Sequence, residues 1–414
     1  MDPSPLADVV VVGGGAAGLT AAIFAARAGA RTVVLERTRQ GGKKIVVSGG
    51  GRCNVLPSVS DADRFVTDSS PRLLRRMLES WPLDAQRRFF EDDLGVPLAL
   101  EPETGKLFPA SDRATDVRDA LVEAARQAGA ALRFSTTVAD AAPGADGWTV
   151  RLADGSAIAA QTVIVATGGL SVPKTGSDGW GLALARHTGH RTEPTYPALA
   201  PLTADPAPHA ALAGVSLPDA HVRARQPRGV FATSGGFLFT HRGYSGPAVL
   251  NVSHLTALAR GPRPQVEVAW TGMDAADWRA VLTEPGRGLV ATSLRAHLPT
   301  RLAERLQAEA RIPTDRARAD LRRDERTRLI EALTAYALPW TGDEGYKKAE
   351  VTGGGVGLGE VDTRTLESRH VPGLHFAGEV LDAFGPIGGY NFQWAWATGR
   401  LAGLGAAGAP VRQA

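Results

Sequence analysis

With 414 residues, 43% hydrophobic and 21% charged, the chain is long enough for two or three domains and has the composition of a globular protein, not a disordered or fibrous one. The net charge is only +3, and the densest basic stretch, Arg316 to Arg328, is interleaved with Asp315, Asp320, Asp324 and Glu325, which argues against a nucleic-acid partner. Cys53 is the one cysteine, so an intrachain disulfide is excluded and a reducing, cytoplasmic setting is expected; no apolar run of about 20 residues predicts a membrane span, and no signal peptide precedes Val9.

Asp8-Val-Val-Val-Val12 is an apolar run suited to a parallel strand buried on both faces. It leads into Gly13-Gly-Gly-Ala16-Ala17-Gly18, where Gly13, Gly15 and Gly18 fit G-x-G-x-x-G, and then into a predicted helix from Leu19 to Arg27. Arg31-Thr-Val-Val-Leu-Glu36 reads as the next strand, ending in an acid. Gly13 permits the turn, Gly15 admits a pyrophosphate, and Gly18 lets helix and strand pack closely. The helix N-terminus favours the phosphates, while Glu36, followed by Arg37, suits ribose hydroxyls. Strand, turn, helix and acid in this order point to a bound dinucleotide without choosing FAD over NAD.

The stretch Gln40 to Asn54 holds Lys44, Ser48, three consecutive glycines (Gly49, Gly50, Gly51), Arg52 and Cys53. It is expected to be a loop whose amides face a ligand. Cys53 is open to two readings, a reactive thiol or a small buried hydrophobe. A helix is predicted from Thr115 to Ala128 and a strand from Ala131 to Val138; a hairpin turning at Asp154-Gly155 follows. A buried strand then ends in Thr167, Gly168 and Gly169, expected beside the cofactor together with Val138. From His190 prolines mark a change of texture, with short β-like runs and then a helical stretch from Met273 to Leu338 carrying Leu294, Leu298, Leu302 and Leu306 at four-residue intervals. Gly353 to Gly359 only superficially repeats the nucleotide motif and reads as a loop, so a second, nicotinamide-binding fold is not expected.

Near the end, Gly378, Glu379 and Asp382 resemble a second FAD contact in which an acid meets the ribityl chain; this pattern favours FAD. Gly388, Gly389, Tyr390, Asn391 and Phe392 then open a helix, about Asn391 to Leu404, whose small residues suit close packing on the sheet and whose N-terminus should point at the flavin pyrimidine edge.

Taken together, Lys44-x-x-x-Ser48-Gly-Gly-Gly-Arg-Cys-Asn54, Gly105-Lys-Leu-Phe-Pro-Ala-Ser111, Ala166 to Pro173, Phe239 to Pro247, Val351-Thr-Gly-Gly-Gly-Val356 and Gly388-Gly-Tyr-Asn-Phe-Gln393 resemble the bacterial and plant flavoproteins labelled NAD(P)/FAD-dependent oxidoreductase or aminoacetone oxidase family FAD-binding enzyme, the BaiN-like group. One departure is Val55-Leu56, where many members carry Thr-Asn. The resemblance implies an α/β fold: a Rossmann-like, two-dinucleotide-type FAD domain with an inserted β-barrel-like domain and a small helical subdomain. The expected segments are 1–190, the first part of the FAD domain; 191–272, the β-rich insert; 273–340, the helical subdomain; and 341–414, a return to the insert and the second part of the FAD domain. It further implies hydride transfer between flavin and a small organic substrate. This would be reduction of an activated C=C bond with NADH or NADPH as donor, or alternatively oxidation of an amine or alcohol. An RNA-modifying flavoprotein and a non-catalytic flavin sensor are rivals from other classes. Candidate catalytic residues are His241, Tyr244, Arg52 and Tyr390, with Tyr196 and Lys348 as further candidates; no metal cluster is evident.

Overall fold

The computed structural model describes residues 7–226, 229–257, 263–286 and 288–410, and they form two compact units, one from the chain ends (to Tyr196, and from Val351) and one from Pro197 to Glu350. Ala7 and Asp8 already belong to the first strand.

In the first unit, β1 (Ala7–Val12) is a valine run without a polar face. It is followed by α1 (Ala16–Arg27), β2 (Thr32–Leu35) and the short α2 (Lys43–Val47). The strands β3 (Leu56–Pro57), β4 (Leu98–Glu101) and β5 (Lys106–Pro109) make a small separate sheet in the order β3-β5-β4. The hairpin's second arm and the returning buried strand are one element, β6 (Ala157–Val165). β1 lies between β2 and β6, parallel to both, with Val10 opposite Val33 on one side and Val163 on the other. Strand 131–133 extends this sheet beyond β2, strand 374–376 runs parallel to β6, and the antiparallel arms 147–152 and 138–144 complete its seven strands.

The second unit holds a seven-stranded antiparallel sheet around the long pair β7 (Ser216–Gln226) and β8 (Gly229–Phe239). Helices 275–283, 290–295, 300–309 and 323–334 share one hydrophobic core with it, from Leu202 to Leu338, so sheet and helices form a single body. All four leucines of the expected stripe are buried, but the run is broken: Leu294 lies on one helix, Leu302 and Leu306 on the next, and Leu298 in the bend between them, before Pro299.

Back in the first unit, β9 (Val351–Val356) corrects the expectation of a loop at the glycine cluster: it is a strand with all six residues buried. Its glycines are explained by what they touch. A Cβ on Gly353 would meet the Tyr196 ring at 2.2 Å, and one on Gly354 the Pro194 carbonyl oxygen at 2.3 Å. The final helix, α3 (Tyr390–Ala406), packs chiefly on α1, not on the sheet; Gly399 and Gly403 leave room for the Ala17 and Ala21 carbonyls, which a Cβ would approach at 2.5 and 2.3 Å. No described helix is long and apolar enough to cross a membrane.

Candidate cofactor and active site

The three motif glycines have different physical duties. Gly13 has φ +103°, and a Cβ there would lie 2.5 Å from the Ala166 carbonyl oxygen; on Gly18 it would lie 1.8 Å from the Gly13 oxygen. Both positions are closed to any side chain. Gly15 meets no heavy atom within 4 Å, so its surface is open. Ala16 and Ala17 start α1, whose first turn contains no acid, and its free N–H groups therefore keep their positive end. Glu36 stands at this turn: it accepts the Gly14 N–H at 2.7 Å and the Thr38 N–H at 2.7 Å. Arg37 is turned towards Asp178 and the Gly176 carbonyl. Val138 is buried in the core and paired with Leu152 in the sheet.

Lys44, on α2, donates to Ser171 Oγ and to Glu379 Oε2, both at 2.6 Å. Glu379 Oε1 accepts from Ser171 Oγ at 2.6 Å and from the Thr352 N–H at 2.9 Å. Burial pushes this carboxyl up, but the Lys44 charge and these hydrogen bonds outweigh it and hold the acid below the ordinary glutamate range. Thr352 Oγ1 also accepts the Leu170 and Ser171 amides, pinning the turn that follows Thr167, Gly168 and Gly169. Glu379 thus ties four segments together. Asp382 is engaged with the 67–69 turn, where its Oδ2 accepts from Thr67 Oγ1, the Asp68 and Ser69 amides and Ser69 Oγ at 2.8–3.0 Å.

In the 48–54 loop, Ser48 to Gly51 form a single turn in which Gly49 and Gly50 adopt left-handed angles. Gly50 and Gly51 face open space. Cys53 is fully buried, and burial pushes its thiol up to about 12, which favours the second of its two readings, a small buried hydrophobe. Arg52 stacks 3.9 Å from the Phe108 ring centroid and is paired with Glu101 and Asp112 at 3.0 and 2.9 Å. Two acids therefore already neutralise this catalytic candidate. Tyr390 is buried; its hydroxyl accepts from Arg64 Nη1 at 2.5 Å while the guanidinium covers the ring. Asn391 closes its own loop through two hydrogen bonds to the Gly385 main chain, and Phe392 stacks on Trp396.

In the second unit, His241 is exposed after β8, as is Lys348. Tyr244 is fully buried, with its hydroxyl 2.8 Å from His209 Nδ1; burial raises its phenol pKa above the ordinary range. The hydroxyl of this catalytic candidate is thus engaged inside the core of its own unit. His209 continues through Nε2 to the Tyr336 hydroxyl and Glu309, a polar cluster unnoticed in the sequence because its members are far apart in the chain. Ser171, Thr352, Arg64 and Lys106 were likewise missed. Thr352 and Lys106 had a signal, each being a polar residue set in an otherwise apolar or glycine strand.

FAD fits these residues. Gly15, Gly50 and Gly51 each face open space, the first turns of α1 and α3 carry no acid, and Asn54 Oδ1 is a buried acceptor without a donor among the described residues. The first two features suit phosphates and an electron-rich ring; the third is an acceptor that a donor on a bound ligand can satisfy.

Comparison with known proteins agrees. Residues 7–405 match the family described as HI0933-like protein Rossmann domain. A ribosomal RNA dihydrouridine synthase of Escherichia coli (strain K12) is 35% identical over 400 residues, 94% of this chain and 96% of its own length. A 3-dehydro-bile acid delta(4,6)-reductase of Clostridium scindens is 37% identical over 410 residues, 97% of this chain and 99% of its own. Among solved structures, the open conformation of a flavocytochrome c3 fumarate reductase superposes with a TM-score of 0.52 at 18% identity, covering 98% of this chain and 79% of that one, a likeness of fold.

Proposed function

The chain belongs to the HI0933-like Rossmann family and is an FAD-dependent oxidoreductase, and from that premise we propose that it reduces a carbon–carbon double bond conjugated to a carbonyl group. The observation that carries this reading is what two near-full-length relatives have in common. Making dihydrouridine saturates a uracil ring bond conjugated to a carbonyl, and a 3-dehydro Δ4,6 steroid likewise places its double bonds in conjugation with a ketone. Both reactions send hydride to the far end of the conjugated system and a proton to the near carbon. When bound, FAD supplies the hydride. The protein's part is to hold flavin and substrate in register, exclude water and neutralise charge as it builds on the carbonyl oxygen.

We take a small conjugated carbonyl compound as the substrate and NADH or NADPH as the donor. Uracil within ribosomal RNA is a second reading, favoured by the E. coli relative and opposed by the interleaved charges of Arg316 to Arg328; Arg316, Arg318, Arg322 and Arg328 are all ion-paired. The test is anaerobic mixing of the yellow protein with NADH and NADPH, followed by addition of a cyclic enone or of ribosomal RNA from cells lacking this gene. Bleaching by a nicotinamide and recovery of colour with the enone supports the proposal. Recovery with RNA alone, with dihydrouridine detected by nucleoside mass spectrometry, selects the second reading. Bleaching by neither nicotinamide, with peroxide formed from an amine or alcohol in air, would overturn both in favour of an oxidase.

A further inference from the structure

The small sheet β3-β5-β4 carries a cluster of charges beside the start of α3. Glu101 on β4 lies opposite Lys106 on β5, and Arg52 covers Phe108 two residues along. Within the cluster the acids are already engaged. Glu101 accepts from Arg52 and from Thr104 Oγ1, and Asp112 pairs with Arg52. Lys106 has no hydrogen-bonded or ion-paired partner among the described residues, yet it is half-buried, and burial holds its ammonium below the ordinary lysine range despite Glu101. An ammonium in that position is costly unless something negative faces it.

Its stem shows where that partner belongs. The nearest atoms to a Cβ built on Gly388 are Lys106 Cγ and Cε at 3.8 and 3.9 Å, so Lys106 lies along the Gly388–Gly389 turn. Gly388 has φ +125° and Gly389 φ +93°, and Gly389 itself is pressed against the Leu56–Pro57 backbone. No side chain at 388 screens the lysine, and the first turn of α3 offers no acid to balance it. Two positive features, the ammonium and the helix start, therefore converge where the one acid opposite, Glu101, is already paired with Arg52.

We propose that Lys106 binds the pyrimidine edge of the flavin and takes up the negative charge that this edge acquires on reduction, making it a cofactor-tuning residue. The inference rests on FAD lying at this end of the chain and is independent of the substrate reading. Stabilising the reduced form raises the flavin potential. In Lys106→Met, which keeps the stem and removes the charge, the ratio of oxidised to reduced flavin at a fixed dye potential should rise tenfold or more, about 30 mV for a two-electron couple. Lys106→Arg should stay within about threefold of wild type, since the charge is kept. The measurement is dye-coupled anaerobic reduction of the three FAD-loaded proteins, with bound FAD quantified first. A Lys106→Met protein that holds FAD at the wild-type potential overturns the proposal, as does one whose only change is a raised KM for substrate, which would move Lys106 to the substrate. If Lys106→Met does not retain FAD, the same titration on Lys106→Gln decides. A colourless wild-type protein would instead refute FAD binding itself, a distinct failure.

Discussion

Replacing Gly15 and Gly18 by alanine separates ligand contact from packing within one turn. At Gly18 the added methyl would sit 1.8 Å from a backbone oxygen that nothing flexible can move aside. Overpacking of this kind costs about 3 kcal/mol or more, and the loss falls on the fold itself. At Gly15 the backbone is extended (φ −83°, ψ −165°), a conformation alanine adopts freely, and nothing lies within 4 Å. The apo form of Gly15→Ala should therefore be as stable as wild type or about 0.4–1 kcal/mol more so, because alanine restricts the unfolded chain. The same methyl blocks the approach of a pyrophosphate. Losing one or two charge-assisted hydrogen bonds costs about 3 kcal/mol, roughly two orders of magnitude in the Kd for FAD. Thermal unfolding of both apo proteins and quenching of FAD fluorescence on binding give the two quantities separately. If Gly15→Ala is destabilised without FAD, or binds FAD within twofold of wild type, the open face of this turn is not the phosphate site.

Three further outcomes follow from the same geometry. Glu379 has a lowered pKa in the folded state, so its contribution to stability is complete above the ordinary glutamate range and is lost as pH falls through that range and below it; Glu379→Gln should flatten this acid limb in urea titrations at pH 3–6, about, and an unchanged limb would refute the assignment. Cys53, buried with its thiol pushed up to about 12, should resist Ellman's reagent in the native protein at neutral pH and react on unfolding, and Cys53→Ala should keep its FAD; rapid native labelling would contradict the burial. Tyr244→Phe should lower stability by about 1–2 kcal/mol through the orphaned His209 nitrogen while leaving the rate of flavin reduction by the nicotinamide unchanged, and a slowed reduction would restore Tyr244 as a catalytic residue.

The parts legible in the sequence were those governed by neighbours in the chain. Val9 to Glu36 declares strand, turn, helix and strand through local chemistry alone, and the helices from Ala114 and to Ala406 follow their own periodicity to within a residue or two. What stayed hidden depends on distant partners. Three glycines at 353–355 read as a loop because propensity counts the missing side chains and cannot see that the Tyr196 ring and the Pro194 carbonyl occupy their places. Tyr244 sits in a family motif that reads as functional, but its burial against His209 is set by residues 35 and 92 positions away in the chain. Arg52 seemed available until Glu101 and Asp112 were brought to it by β4 and the turn after β5. Lys106 stood in a family motif with no role attached, since only the fold shows that its natural partner is spent elsewhere.

The packing of α3 on α1 sets a timetable for synthesis. Ala17 and Ala21 are roofed by Gly399 and Gly403, which are made long after them. The nucleotide-binding unit therefore leaves the ribosome with one flank of its first helix bare, and it waits for most of the chain before that flank is covered. The second unit, Pro197 to Glu350, is contiguous and carries its own core, so it can close in the interval. Nascent chains stalled near residue 385, with the second unit clear of the exit tunnel and α3 not yet made, should accordingly yield a protease-resistant fragment from the second unit and none from the first, and the cofactor should be captured only after α3 has emerged.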